Sequence, residues 1–174
     1  DPQSPEAFSI WAVQISNSTK PVVTAKIKTG FQVGEILEGI PAVGGSSPNS
    51  VVANANYVFV SNGNNDCVSV IDVNTNKLAK NIMLNPEPKL KNLRGIIPFG
   101  LALSPDGNTL YVAESGINAV AVVDVKSLQV VGHFPTGWFP SKLAVSPDGD
   151  KIYVANAKGY GSGPNGGEKF NPGP

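Results

Sequence analysis

Cysteine is almost missing from this chain. Cys67 stands alone, which excludes an internal disulfide framework. It sits in the apolar run Cys67-Val68-Ser69-Val70-Ile71 and reads as a small buried hydrophobe with an inert thiol. Charge is also scarce, at 15% of residues against about a quarter in typical soluble domains. The 13 basic residues cancel the 13 acidic ones, so nothing marks the chain for nucleic acid or an anionic membrane surface. No stretch approaches the ~18 consecutive apolar residues of a membrane-spanning helix, so no membrane insertion is expected. The start, Asp1-Pro2-Gln3-Ser4-Pro5, has neither the basic opening nor the apolar core of a signal peptide, and reads as a mature, trimmed or excised chain. Apolar residues never recur at helical spacing long enough for a packed helix.

What the sequence has in quantity is turn formers. Nineteen glycines and 15 prolines are set among 41% hydrophobic residues, a fraction too high for disorder. That composition suits an all-β protein with many tight turns. The 174 residues suffice for one domain of ordinary size. The sequon Asn17-Ser18-Thr19 is a surface signal that matters only in a glycosylating host.

Self-similarity decides the architecture. Leu101-Ala102-Leu103-Ser104-Pro105-Asp106-Gly107-Asn108-Thr109-Leu110-Tyr111-Val112-Ala113 returns, without a gap, 42 residues later as Leu143-Ala144-Val145-Ser146-Pro147-Asp148-Gly149-Asp150-Lys151-Ile152-Tyr153-Val154-Ala155. A looser copy runs from Ser50 to Val60, with its turn shortened to Asn54-Ala55-Asn56. In the Ser-Pro-Asp-Gly turns, Pro presets φ and Gly takes the positive φ that closes the turn. An alternating strand follows, then a third (Val68–Val73 or Val120–Val125) and a fourth (Val130–Phe134). Four short strands in about 42 residues have the period and content of one propeller blade.

The start of the chain fits the same frame out of phase. Ile10–Ile15 matches Val68–Val73, and Ala25–Gly30 matches Gly132–Gly137. The expected architecture is therefore an all-β propeller segment of about three four-stranded blades, two complete and two half, in an incomplete ring. Residues 1–47 hold a partial blade (third and fourth strands) and a long loop. A blade with its inter-blade loop spans 48–97, and a second blade spans 98–139. Residues 140–157 supply a half blade (first two strands), and 158–174 form a Gly/Pro-rich loop. Pro48 to Pro98 is 50 residues rather than 42. The surplus falls in 85–95, with room for one helical turn after Pro88.

These residues resemble the YVTN β-propeller repeats. The second-strand signature reads Tyr111-Val112-Ala113-Glu114, Tyr153-Val154-Ala155-Asn156 and, as a variant, Val58-Phe59-Val60-Ser61-Asn62. The third strands, Val68-Ser69-Val70-Ile71-Asp72 and Val120-Ala121-Val122-Val123-Asp124, match the family's Val-x-Val-Ile-Asp. The segments 42–50, 137–141 and 156–165 are similar to exported bacterial proteins in which a YncE-like propeller precedes an alkaline-phosphatase-like domain. That resemblance implies a periplasmic or cell-surface location, and places any phosphatase chemistry outside this chain.

Candidate chemistry is thin. Asp106 and Asp148 lie inside turns, and Asp72 and Asp124 recur before polar turns, so all four read as structural acceptors. His133 is the only histidine, with no Cys or paired carboxylate beside it in sequence, and makes a poor metal site. There is no Gly-x-Ser-x-Gly elbow and no Cys-x-x-Cys-His. The tail Gly159–Gly167 lacks the Gly-Lys-Ser/Thr of a phosphate loop. No catalytic residue, metal ligand or cofactor is assigned. Trp138 and Phe139, beside Pro140 at a blade junction, are the candidate ligand-binding residues, with packing between blades as the alternative reading. The expected role is a non-catalytic scaffold outside the cytoplasm that binds a protein or small ligand through loops 30–48, 85–97 and 158–174. The alternatives are an accessory propeller of an enzyme (phosphoesterase, lactonase-like or dehydrogenase-type) and a surface-layer or filament component. Closing the ring is expected to need the remaining blades of a longer parent chain or a second copy.

Overall fold

The computed structural model describes residues 4, 6–16, 20–42, 44–90, 92 and 94–159. The sequon at 17–19 and nearly all of the 158–174 loop lie outside the described residues. Two four-stranded antiparallel sheets form the centre. The first contains β5 (Pro48–Ala53), β6 (Tyr57–Asn62), β7 (Cys67–Asp72) and β8 (Lys77–Met83). The second contains β9 (Pro98–Leu103), β10 (Thr109–Glu114), β11 (Ala119–Asp124) and β12 (Gln129–Pro135). Each is a meander in chain order. Before them lies the pair β1 (Ser9–Gln14) and β2 (Val22–Lys28), and after them the pair β13 (Pro140–Val145) and β14 (Ile152–Asn156). A small hairpin, β3 (Ile36–Leu37) and β4 (Ile40–Pro41), is inserted between the first pair and the first full blade. The only helical turn among the described residues is a 3₁₀ turn at Pro88–Leu90.

The turns follow from their side chains. Asp106 Oδ1 takes the Asn108 amide at 3.0 Å and the Ser104 hydroxyl at 2.5 Å, while Gly107 sits at φ +72°. Asp148 repeats this with Ser146 and with the Asp150 amide at 3.1 Å. In the shortened copy, Asn54 Oδ1 does the same work, accepting the Asn56 and Tyr57 amides at 2.9 Å. Asp72 Oδ1 accepts the Asn74 and Thr75 amides, and Asp124 takes the amides of Lys126 and Ser127. The Thr75 amide holds the Asp72 carboxyl below its ordinary range, and the Ser127 hydroxyl does so for Asp124. Each of the four carboxylates is thus used locally by its own turn.

The repeat extends to irregularities that composition does not announce. A bulge interrupts β5–β6 after Pro48, β9–β10 before Glu114 and β13–β14 after Pro140, one repeat position in three copies. A second recurs at Ala12/Val13, Val70/Ile71 and Val122/Val123. Bulges increase local twist, and blades need that twist to fan out. Positive φ recurs as well: Ser47, Ile97 and Phe139 precede the three first strands, and Phe8, Asp66 and Asn118 precede the third strands.

The core lies between sheets rather than inside one. Phe59, Val68, Val70, Ile82 and Leu84 of the first blade pack against Leu101, Leu110, Val112 and Val123 of the second. Ala102, Ala113 and Val120 pack against Leu143 of the last half blade, and Ile27 packs against Val60 and Ile71. The inner strands of the full blades are covered on both faces, hence their near-continuous apolar sequence. Among the described residues the two half blades do not pair with one another, and the ring is open.

Candidate functional site

The two loops that exceed the repeat frame meet at one place. A cleft of about 410 Å³ is lined by Leu37, Ile40 and Pro41 of the inserted hairpin, by Asn64–Asp66 between β6 and β7, and by Arg94, Gly95 and Ile97. Glu38 holds the two loops together: Arg94 Nη2 lies 3.1 Å from its Oε2, and Asn85 Nδ2 donates to its Oε1 at 2.9 Å. Arg94 also donates to the Leu37 carbonyl at 3.0 Å. The opposite wall is equally committed. Asp66 Oδ2 accepts the Gly95 amide at 2.8 Å, and its Oδ1 accepts the Ile97 amide at 2.9 Å. Asn65 Oδ1 accepts the Phe31 amide at 2.7 Å. The cleft therefore offers apolar wall, asparagine and backbone, with its cation, Arg94, and its anion, Asp66, already engaged inside the protein.

Trp138 and Phe139 lie at the next blade junction and do not line this cleft. Their backbone is pinned: Asn118 Oδ1 accepts the Phe139 amide at 2.9 Å, and the Phe139 carbonyl accepts the Ala157 amide at 2.9 Å. Both rings are half-buried. The Lys158 ammonium sits 5.0 Å above Phe139 and 5.8 Å above Trp138, and Phe99 lies 6.5 Å from Phe139. Phe139 occupies the repeat position of Ile97, so the two junctions are variants of one design.

Sequence reasoning missed a contact between two titratable side chains, one of them fully buried. His133 Nδ1 lies 2.9 Å from Glu114 Oε2, although 19 residues separate them. The reason is register: β10 and β12 flank β11, where Ala121 faces Val112 on one side and His133 on the other, and Glu114 lies two residues beyond Val112 on the same face of the sheet. The absence of a carboxylate next to His133 in sequence was therefore no guide to its surroundings. Glu114 is fully buried, and burial pushes its carboxyl up to about 7. The one available signal was Glu114 itself, a carboxylate where the other copies carry Asn62 and Asn156.

Among the described residues, no group of three or more His, Cys, Asp and Glu side chains could hold a metal ion. Cys67 is fully buried beside Asn62, whose Nδ2 lies 3.6 Å from Sγ, and burial raises the thiol to about 12. Native protein should accordingly take up no thiol reagent on a timescale of minutes, whereas protein in denaturant reacts at once. Rapid native labelling would show that β7 opens.

Blade-sized antiparallel meanders, packed face to face with bulges in phase, leave one architecture. The chain is a segment of a β-propeller. The model of the lactonase family, described as a seven-bladed β-propeller, matches residues 98–160, which begin at β9 and run past β14. No curated protein matches the chain in sequence. Among solved structures, hydrazine synthase of Kuenenia stuttgartiensis is 27% identical over 64% of this chain and 29% of its own, with a TM-score of 0.57. A candidate 6-phosphogluconolactonase from Bacteroides fragilis aligns over 87% of this chain and 42% of its own at 18% identity, with a TM-score of 0.64. A functionally unknown protein from Desulfotomaculum acetoxidans aligns over 86% and 56% at 14% identity, with a TM-score of 0.54. The propeller segment thus spans well under two thirds of the length of each.

Proposed function

We propose that this propeller segment is a binding scaffold, working outside the cytoplasm, whose recognition surface is the cleft between loops 30–48 and 85–97. One observation carries the reading. The cleft's charged side chains are engaged within the protein, Arg94 by Glu38 and Asp66 by two backbone amides, so the cleft presents shape and hydrogen bonds rather than a reacting group. The location rests on the resemblance to exported YncE-like propellers. The Trp138–Phe139 rim, with Phe99 and Lys158 beside it, is proposed as a second contact surface for the same partner. The half blades are completed by strands of other blades, from a longer parent chain or from a second copy.

A second reading is favoured by the family match over 98–160 and by the Bacteroides fragilis likeness: the segment belongs to a lactonase-type enzyme propeller. The two separate in a hydrolysis assay of the purified chain against 6-phosphogluconolactone and a phosphate monoester. The scaffold reading expects no turnover above background. Turnover that disappears in Asp66→Ala or Arg94→Ala, with the fold intact by circular dichroism, would replace it with the enzyme reading.

A further inference from the structure

The same three positions are filled differently in the two full blades. In the first, Asn62, Ser69 and Asn81 form a neutral network: Asn62 Nδ2 donates to Ser69 Oγ at 2.9 Å, and Ser69 Oγ donates to Asn81 Oδ1 at 2.7 Å. Ser69 Oγ also accepts the Gly30 amide at 2.8 Å, which fastens the preceding linker to this blade. The β-ladder registers place Glu114, Ala121 and His133 at the corresponding positions of the second blade. A titratable pair has replaced a neutral network, and the central hydroxyl has gone. Glu114 Oε1 is buried with no hydrogen-bond partner among the described residues, as are the repeat-equivalent Asn62 Oδ1 and Asn156 Oδ1, but only at Glu114 does the bare oxygen belong to a group that can become an anion.

The pair lies at the root of a junction. The residues after Glu114 hold the linker into the second blade: the Ser115 amide donates to the Ile97 carbonyl at 3.1 Å and the Gly116 amide to the Ile96 carbonyl at 2.9 Å. Asp66 grips the same linker from the first blade through the Gly95 and Ile97 amides. Two titratable groups act on Glu114, His133 from β12 and Asp66 from the loop between β6 and β7. Its neighbours across the ladders are Ala119 on β11 and Pro98 on β9, neither of which titrates.

We propose that Glu114 and His133 form a proton-operated latch on the junction between the two full blades. While the pair holds a proton between them, whichever atom carries it, the linker 95–97 stays clamped. Once the pair has given up that proton, the bare Glu114 Oε1 and the nearby Asp66 leave uncompensated negative charge at the junction. The linker, which is also a wall of the cleft, then loosens. The direction follows from linkage. Burial sets the Glu114 carboxyl above its ordinary 4.5, near 7, so the closed junction takes up the proton more readily than the open one. Closure is therefore favoured in full below pH 4.5 and loses this contribution as pH rises through about 7. The latch does not depend on what the cleft binds.

Amide hydrogen exchange of peptides spanning 94–98 and 115–118, at pH 5.5 and 8.5 and corrected for intrinsic exchange, tests it. The peptide 60–70 of the first blade serves as internal reference. At the higher pH the junction peptides should lose at least about tenfold in protection relative to the reference, the factor one pKa unit is worth. In Glu114→Gln this pH-dependent loss should vanish. Equal protection of the wild-type junction at both values, or an undiminished loss in Glu114→Gln, overturns the proposal. Should Glu114→Gln not fold, the triple variant Glu114→Asn, Ala121→Ser, His133→Asn transplants the first blade's network. It should give a folded protein with a pH-insensitive junction, and persistence of the pH effect there also overturns the latch.

Discussion

Gly116→Ala is expected to destabilise the protein by about 3 kcal/mol or more, seen as a lower urea midpoint with an unchanged slope. A Cβ on Gly116 would stand 1.7 Å from the Gly95 carbonyl oxygen, 2.8 Å from its carbon and 3.1 Å from the Ile96 oxygen. All of these are backbone atoms, so no flexible side chain can swing aside. Relief requires the linker to move off the second blade, which breaks the bonds from Ser115 to Ile97 and from Gly116 to Ile96. Each is worth about 1 kcal/mol, in addition to about 1–3 kcal/mol for overpacking. Ser115 Oγ donates to the Pro140 carbonyl at 2.6 Å, so the disturbance reaches the next blade as well. Gly132→Ala is the control. It lies in β12 with nothing within 4 Å of an added Cβ, and should be neutral or slightly stabilising. Comparable losses in both variants would show that close approach at Gly116 is not what the junction depends on.

The fold was legible because blade chemistry is local. A Ser-Pro-Asp-Gly turn specifies itself, and a repeat offset of 42 residues places each strand without knowledge of its partners. The aspartates Asp72, Asp106, Asp124 and Asp148 were readable for the same reason, since their hydrogen bonds reach two or three residues along the chain. The site was less legible, because it is built where the repeat is broken. Nothing in the sequence announces that Glu38 will meet both Asn85 and Arg94, since the loops that carry them have no counterpart in the other blade. The recurring positive φ at Ser47, Ile97 and Phe139 was equally hidden. Residue types differ at those positions, and a β-branched Ile97 argues locally against that conformation. What holds it is tertiary, the grip of Asp66 on its amide. Glu114 and His133 escaped because they meet across an intervening strand, a relation visible only once register is known.

In light scattering, the 174-residue chain is expected to run as a dimer or larger species rather than as an 18.1 kDa monomer. The reason is what repeat-equivalent residues do when their blade is complete. Val13 of β1 is 43% exposed, whereas Ile71 and Val123 at the same position are 1% and 0% exposed. Tyr153 of β14 is 59% exposed, while Phe59 is fully covered and Tyr111 half-buried. Among the described residues β1 pairs only with β2, and β14 only with β13. Each therefore presents one unpaired strand edge, and unpaired edges with apolar faces recruit other strands. The edges are also complementary. In the full blades Ser61 pairs with Val68 and Val58 with Ile71. Transferred by repeat position, this register sets Ala155 opposite Ile10 and Ile152 opposite Val13. Two copies exchanging half blades in that register would count six blades, within the 4–8 of known propellers. Mixing Ile10→Cys with Ala155→Cys chains under mild oxidation should then give a disulfide-linked pair, with Ala12→Cys and Ala155→Cys, two residues out of register, as the weak control. A compact, soluble monomer would show that the half blades need no partner. A dimer that crosslinks no better in register than out of it would show that the copies meet on some other surface.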